Sequence, residues 1–208
     1  MIDQQIVSPK VDDKPWSVLH YVPGVEPKRG TPPLIGLTGR ARSGKDTVAG
    51  MLKTVVDFKS LAFAAALKDG LKTMLDLTDE HVYGDLKEVV IEDFGKSPRQ
   101  MLQTLGTEWG RQLVHDDIWL TVTRRKIDRW REEGFAVVMT DVRFENEAEM
   151  IRKMGGRVWH VVRPDAPKIN AHASENGVSF DAATDITIYN NGTLDDLYDA
   201  VCDALEGA

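Results

Sequence analysis

The chain has 208 residues, which is enough for one domain or for a domain with an insert. Its 42% hydrophobic and 28% charged residues are ordinary for a globular protein. A net charge of −7 and a pI near 5.3 argue against a general duplex-DNA binder, which carries a basic face, so we expect no stable nucleic-acid binding. The single cysteine, Cys202, excludes an internal disulfide and a cysteine zinc site.

Localisation follows from two further patterns. No apolar run approaches the roughly 18 residues of a membrane-spanning helix. The N-terminus lacks the apolar core of a signal peptide. We therefore expect a cytoplasmic protein.

Residues 1–33 contain six of the nine prolines, so they cannot form a long helix or a central strand. We predict an irregular, proline-rich N-terminal extension. A few apolar side chains could pin it to the surface of the domain: Trp16, Val18, Leu19 and Tyr21. Passive packing is favoured over a partner-binding role.

The remaining chain, 34–208, alternates short apolar runs with longer amphipathic segments, and this alternation predicts an α/β fold with a parallel sheet covered by helices on both faces. The predicted strands are 34–38, 58–63, 135–140, 157–162 and 185–189. The predicted helices are 45–56, 64–76, 98–114, 116–133, 144–154 and 193–206.

Two connections are longer than a simple crossover needs. The mostly helical stretch at about 64–134 predicts an inserted helical region between the second and third strands. The stretch at about 164–184 has little regular pattern, which is typical of a lid, a binding loop or disorder.

The first strand leads into a glycine-bounded loop. Residues 39–45 spell G-x-x-x-x-G-K, and a helix follows. A strand, this loop and a helix form the context of a phosphate-binding P-loop, because the loop's N–H groups form an anion nest and the helix adds its positive end. Lys45 would reach the β- and γ-phosphates. The alternative is a glycine-rich turn between a strand and a helix.

The loop departs from the usual pattern in one position. A P-loop lysine is normally followed by Ser or Thr, which ligates magnesium. Here Asp46 stands in that place, and Thr47 follows it.

Ligands of an open α/β sheet bind beyond the carboxyl ends of the strands, so the residue after each strand matters. Asp141 closes the third predicted strand, where a carboxylate could hold magnesium directly or through water. Arg143 could meet the same phosphates with two N–H groups. The alternative is that Asp141 caps the helix beginning near Phe144.

The fourth and fifth strands also end in polar residues. Arg163 follows the fourth strand and could close on phosphates. Asn190-Asn191-Gly192 follows the fifth; this turn could reach an adenine edge or could simply cap the last helix through Thr193. In the irregular stretch, a functional role and a plain surface loop are both open for His172, Ser174 and Glu175.

The predicted helix at 98–114 has two distinct faces. Ser97 and Pro98 provide an N-cap and a first-turn proline. A buried stripe is predicted at Met101, Leu102, Leu105, Trp109 and Leu113. The other face carries Arg99, Gln103, Gly106 and Gly110, and its glycines imply a close approach by either a substrate or a neighbouring helix.

Four segments together resemble the deoxynucleoside monophosphate kinases of tailed bacteriophages. They are G-R-A-R-S-G-K-D-T at 39–47, S-P-R-Q-M-L-Q-T-L-G at 97–106, T-D-V-R-F-E-N-E at 140–147 and H-A-S-E at 172–175. The resemblance spans about 34–206, and the K-D-T ending of the loop is itself a feature of that family.

The resemblance implies the nucleoside monophosphate kinase fold: three layers, a five-stranded parallel sheet, an acceptor-binding helical insert (about 64–134) and a lid (about 164–184). It implies ATP as co-substrate, with magnesium held by Asp46 and Asp141. The implied ATP-binding residues are Gly39, Arg40, Ser43, Gly44, Lys45, Asp46, Thr47 and Asn191. The implied substrate-binding residues are Arg99, Gln103, Gly106, Asp141, Arg143 and Glu175. The implied catalytic residues are Lys45, Asp46, Arg143 and Arg163.

The sequence therefore predicts transfer of the γ-phosphoryl of ATP to a deoxynucleoside 5′-monophosphate. Catalysis would rest on positioning and charge stabilisation, since the acceptor phosphate is already ionised. One alternative is a P-loop kinase with another phosphorylated acceptor. The other is a module that binds or hydrolyses nucleotide without phosphoryl transfer. A homodimer is possible, and a phage-encoded enzyme would act in the host cytoplasm.

Overall fold

The computed structural model describes residues 31–56, 58–165 and 178–206. The predictions for residues 1–30 and for the segment with His172, Ser174 and Glu175 lie outside the described residues. None of the described helices is long and apolar enough to span a membrane.

The described strands form one five-stranded sheet in the order β2-β3-β1-β4-β5, and every neighbouring pair is parallel. This confirms the predicted five-stranded parallel sheet, and the strand that precedes the glycine-bounded loop lies in its centre. The strands are β1 (Leu34–Thr38), β2 (Lys59–Leu61), β3 (Val137–Met139), β4 (Arg157–Val162) and β5 (Ile186–Tyr189).

The helices follow the strands in the predicted alternation. The α-helices are α1 (Lys45–Val56), α2 (Ala65–Leu75), α3 (Asp79–Val82), α4 (Pro98–Gln103), α5 (Ile118–Glu132), α6 (Glu145–Lys153) and α7 (Leu194–Glu206). Two further helical segments are a 3₁₀ helix at Asp85–Glu88 and a π-helix at Thr104–Val114.

The chain divides into two compact units. The sheet unit comprises the residues up to Leu61 and from Ile127 onward, and the helical unit is Ala62–Lys126. Helix α5 runs across the second boundary. The predicted insert at about 64–134 overlaps the helical unit, and its acceptor-binding role stays a prediction.

Successive residues of β1 point to opposite faces of the sheet, and each face is covered by helices. Ile35 and Leu37 are fully buried in a cluster that includes Val48 of α1 and Val201 of α7. Gly36 points the other way, where a side chain would collide with Ile151 of α6. The three-layer arrangement follows from this alternation.

The predicted single α-helix at 98–114 is wrong beyond Gln103, where hydrogen bonding changes to the π pattern. The predicted buried stripe fails with it, since Leu113 is 79% and Trp109 47% exposed. The reason is geometric: i→i+5 bonding moves side chains off the 3.6-residue face on which the stripe was drawn.

The glycine face of this segment is packed against protein within the helical unit. A Cβ at Gly110 would lie 2.6 Å from the Trp119 ring, and the Gly106 carbonyl accepts a 2.8 Å hydrogen bond from Trp119 Nε1. Of the two alternatives for Gly110, the neighbouring helix is the one observed.

Candidate phosphate-binding site

The loop between β1 and α1 has the backbone of an anion nest. Gly39 and Gly44 have φ values of +145° and +103°, and Arg42 is also left-handed at +63°. A side chain at Gly39 would overlap the carbonyl oxygen of Val161 on β4. Both loop glycines are thus required by conformation, and Gly39 is required by space as well.

Lys45 folds back over this loop. Its Nζ donates to the carbonyl oxygens of Gly39 (2.8 Å) and Arg40 (3.1 Å). The ammonium therefore lies against the backbone of the loop.

Ser43 contributes a buried hydroxyl beside the nest. The residue is 1% exposed, and its Oγ has no hydrogen-bond partner among the described residues. An unsatisfied buried hydroxyl costs about 1–3 kcal/mol. A ligand oxygen bound in the loop would offset that cost, which supports the predicted phosphate contact.

A cavity of about 470 Å³ opens in front of the loop, at the carboxyl ends of β1, β3 and β4. It lies within the sheet unit, at the edge where an open α/β sheet binds ligands. Its lining comprises residues 38–41, Ser43, Lys45, residues 141–143, residues 160–164 and Val178. Of the predicted site residues, it gathers Gly39, Arg40, Ser43, Lys45, Asp141, Arg143 and Arg163.

Asp141 and Arg143 form an ion pair on the cavity wall. Arg143 Nε and Nη2 lie 2.7 and 2.6 Å from Asp141 Oδ2. The alternative of Asp141 as a helix cap is wrong, because the N-cap position of α6 is Phe144. The N–H groups of Arg143 and Phe144 donate to the Glu147 carboxylate, at 2.8 and 3.2 Å. The Asp141 carboxylate stays at the cavity.

The turn after β5 contacts the loop through Asn190. Asn190 Nδ2 donates to the Ser43 carbonyl at 2.9 Å, while the predicted Asn191 is exposed. The sequence pointed to the turn. Which asparagine faces the loop depends on the backbone of the turn, which the residue types do not specify.

A buried ionic cluster behind the cavity was missed by the sequence reading. His160 lines the cavity, and its Nε2 lies 3.0 Å from the Asp185 carboxylate, which also receives Arg152 Nη2 at 2.6 Å. Burial alone would raise the pKa of Asp185, but hydrogen bonds from Arg152, the Asp181 N–H, His160 and Thr184 outweigh it and lower the pKa to about 2.

Comparisons with known proteins decide the family. Residues 78–201, more than half of the chain, match the family described as deoxynucleotide monophosphate kinase. A protein of Acanthamoeba polyphaga mimivirus, provisionally named as such a kinase, is 31% identical over 84% of this chain and 97% of its own. The chain belongs to the deoxynucleotide monophosphate kinase family.

Two phage relatives match shorter stretches of this kinase. The deoxynucleoside-5′-monophosphate kinase of Escherichia phage T5 is 42% identical over 49% of this chain and 43% of its own. The deoxynucleotide monophosphate kinase of Enterobacteria phage T4 is 27% identical over 53% of this chain and 46% of its own. The aligned part is less than half of each phage protein.

Several predicted residues of the kinase are not among those that line the cavity. Asp46 and Thr47 are exposed on the first turn of α1. The predicted acceptor-binding residues Arg99, Gln103 and Gly106 belong to the helical unit, where Arg99 Nη1 pairs with Glu88 at 2.8 Å. Glu175 lies outside the described residues.

The residues at the cavity suit a magnesium ion that also has phosphate ligands. The described residues contain no group of three or more His, Cys, Asp or Glu able to hold a metal alone. Mg²⁺ is usually bound through one or two carboxylates and substrate phosphates. The Asp141 carboxylate, 37% exposed beside the loop, fits that mode.

Proposed function

We propose that this kinase transfers the γ-phosphoryl group of ATP to a deoxynucleoside 5′-monophosphate. One observation carries the proposal: the cations of Lys45, Arg143 and Arg163 and the carboxylate of Asp141 converge on one cavity in front of a glycine-bounded anion nest. This combination suits a ligand with several phosphates. The family to which the chain belongs supplies the acceptor class.

The proposed mechanism uses position and charge. The nest N–H groups and Lys45 bind the donor phosphates, while Arg143 and Arg163 neutralise the negative charge that spreads over the transferred group. The acceptor phosphate is already ionised at neutral pH, so the chain need not supply a strong base. Holding donor and acceptor in line is the main contribution of the protein.

We assign magnesium binding to Asp141 and Asp46. When bound, the ion neutralises charge on the β- and γ-phosphates. Asp141 would hold it from the cavity wall. Asp46 would act from the first turn of α1 through water, in place of the Ser or Thr of the usual loop.

The remaining site assignments rest on the family resemblance. We assign the acceptor to Arg99, Gln103, Gly106 and Glu175, together with Asp141 and Arg143. We assign ATP binding to Gly44, Thr47 and Asn191 in addition to the loop residues that line the cavity.

Release of ADP from ATP, measured with each deoxynucleoside monophosphate in turn, tests the proposal. We expect stimulation by at least one of them. Equal release with and without every acceptor would favour a nucleotide-hydrolysing module. Stimulation by another phosphorylated compound alone would favour a kinase with a different acceptor.

The variant Lys45→Ala tests the site itself. We expect its kcat to fall by at least about a thousandfold, since a cation on the transferred phosphate is lost, while circular dichroism stays unchanged. Arg125→Ala, at an exposed position on α5, is the control for loss of a positive side chain. Turnover of Lys45→Ala at the wild-type rate contradicts the proposal.

A further inference from the structure

Asn190 joins the end of β5 to the phosphate-binding loop. Its N–H donates to the carbonyl oxygen of Val162 at 2.8 Å, which fixes its backbone at the edge of the sheet. Its side-chain Nδ2 donates to the carbonyl oxygen of Ser43 at 2.9 Å, across 147 residues of sequence. Because a carbonyl oxygen can only accept, the amide nitrogen must be the atom that faces the loop.

This hydrogen bond constrains the next peptide group of the nest. The C=O of Ser43 and the N–H of Gly44 belong to one planar, trans peptide unit and point in opposite directions. A side chain that holds the Ser43 oxygen therefore holds the Gly44 N–H pointing away from Asn190. Gly44 immediately precedes Lys45 and the first turn of α1.

The conformation of Gly44 agrees with this arrangement. Its φ of +103° belongs to glycine, and a Cβ there would overlap the amide of Asn190. The asparagine thus packs directly against the open side of Gly44. The amide of Asn190 can approach the loop this closely because Gly44 has no side chain.

We propose that Asn190 is a positioning residue for the donor phosphates: it orients the Ser43–Gly44 peptide so that the Gly44 N–H serves the anion nest. This inference rests on the proposed function, in which the loop binds the phosphates of ATP. It assigns Asn190 no contact with the nucleotide base.

Binding of inorganic tripolyphosphate with Mg²⁺, measured by calorimetry on the full chain, isolates the nest because this probe has no base. We expect Asn190→Ala to weaken tripolyphosphate binding about three- to tenfold, the effect of one neutral hydrogen bond. Asn190→Asp has the same shape but cannot donate, and its carboxylate faces a carbonyl oxygen. We expect it to weaken binding further.

Steady-state kinetics separate positioning from a general loss of structure. We expect the KM for ATP to rise in Asn190→Ala, while the KM for the deoxynucleoside monophosphate and the melting temperature stay near the wild-type values. The neighbouring Asn191→Ala is the matched comparison, since Asn191 is assigned to ATP but not to the loop. Asn191→Ala should weaken the binding of ATP and leave the binding of tripolyphosphate unchanged.

The outcomes distinguish this inference from the function on which it rests. If the wild-type chain binds no tripolyphosphate, the phosphate-binding role of the loop fails, and the inference fails with it. If the wild type binds and Asn190→Ala binds equally well, the inference alone is overturned. Equal rises in both KM values, accompanied by a lower melting temperature, would also overturn it in favour of a structural role.

Discussion

At the scale of single residues, the loop glycines show how conformation and space can be separated. Gly39 and Gly155 both have positive φ, at +145° and +72°. A Cβ at Gly155 would meet no atom within 4 Å, whereas a Cβ at Gly39 would overlap the Val161 carbonyl and approach Ser43 Oγ at 2.9 Å. An alanine would be strained by the positive φ at either position, and only at Gly39 would it also collide with neighbouring atoms.

We therefore expect Gly39→Ala to disrupt the nest and Gly155→Ala to leave it intact. Displacing the loop by about 1 Å can cost on the order of a hundredfold in activity. Gly155→Ala should lower only the free energy of unfolding, by about 1 kcal/mol of backbone strain. Steady-state kinetics and urea unfolding measure the two effects. Equal kcat/KM for ATP in both variants would contradict this account.

Residue types and their order were enough to predict the Lys, Arg and Asp residues of the cavity wall. Lys45, Asp141 and Arg163 each follow a strand of a parallel sheet, and the carboxyl ends of such strands share one edge. The partner of His160 could not be found in this way. Asp185 is 25 residues away, and only the parallel pairing of β4 with β5 brings the two side chains together.

At the scale of elements, the sequence predicted β1, β4 and α1 with their observed ends. Each is a continuous apolar or amphipathic run bounded by glycine or a polar residue, so local pattern and tertiary burial agree. The segment 104–114 differs because α- and π-helices draw on the same residue types. The change in hydrogen bonding there accompanies close packing at Gly106 and Gly110, which a sequence pattern does not show.

Replacing each of two helix glycines of the helical unit by alanine should change the stability in opposite directions. In Gly110→Ala, the new methyl group lies 2.6 to 2.8 Å from three atoms of the Trp119 ring, so we expect a loss of about 1–3 kcal/mol of stability. Gly70→Ala on α2 meets no atom within 4 Å and should gain about 0.5–1 kcal/mol. Chemical denaturation measures both. A stabilising Gly110→Ala would show that the ring moves aside freely.

At the scale of the whole molecule, the Asp185 cluster connects segments that are distant in sequence. Arg152 of α6 bonds Asp185 and also the Ser179 carbonyl, at 2.8 Å, while Glu145 accepts the Ser179 N–H at 2.8 Å. The backbone hydrogen bond from Ser179 is the main cause that lowers the pKa of Glu145. The cluster thereby holds the chain beside Val178 and His160, both of which line the cavity.

The buried carboxylate predicts how stability depends on pH. The pKa of Asp185 is about 2 in the folded protein and about 3.9 in an unfolded chain. Because the folded pKa is the lower one, the ionised carboxylate contributes its full stabilisation above about pH 4, and that contribution is lost as pH falls towards 2. The shift corresponds to about 2–3 kcal/mol, since the Asp185 side chain is fully buried.

Urea unfolding of the wild type between pH 6 and pH 2 should therefore show a loss of stability concentrated below pH 4. Asp185→Asn cannot ionise, so it should start from a lower stability at pH 6 and lose about 2 kcal/mol less over the same range. Asp203→Asn, at an exposed position on α7, is the control for removal of a carboxylate. If Asp185→Asn loses as much stability towards pH 2 as the wild type does, the cluster is not held by the ionised form of Asp185.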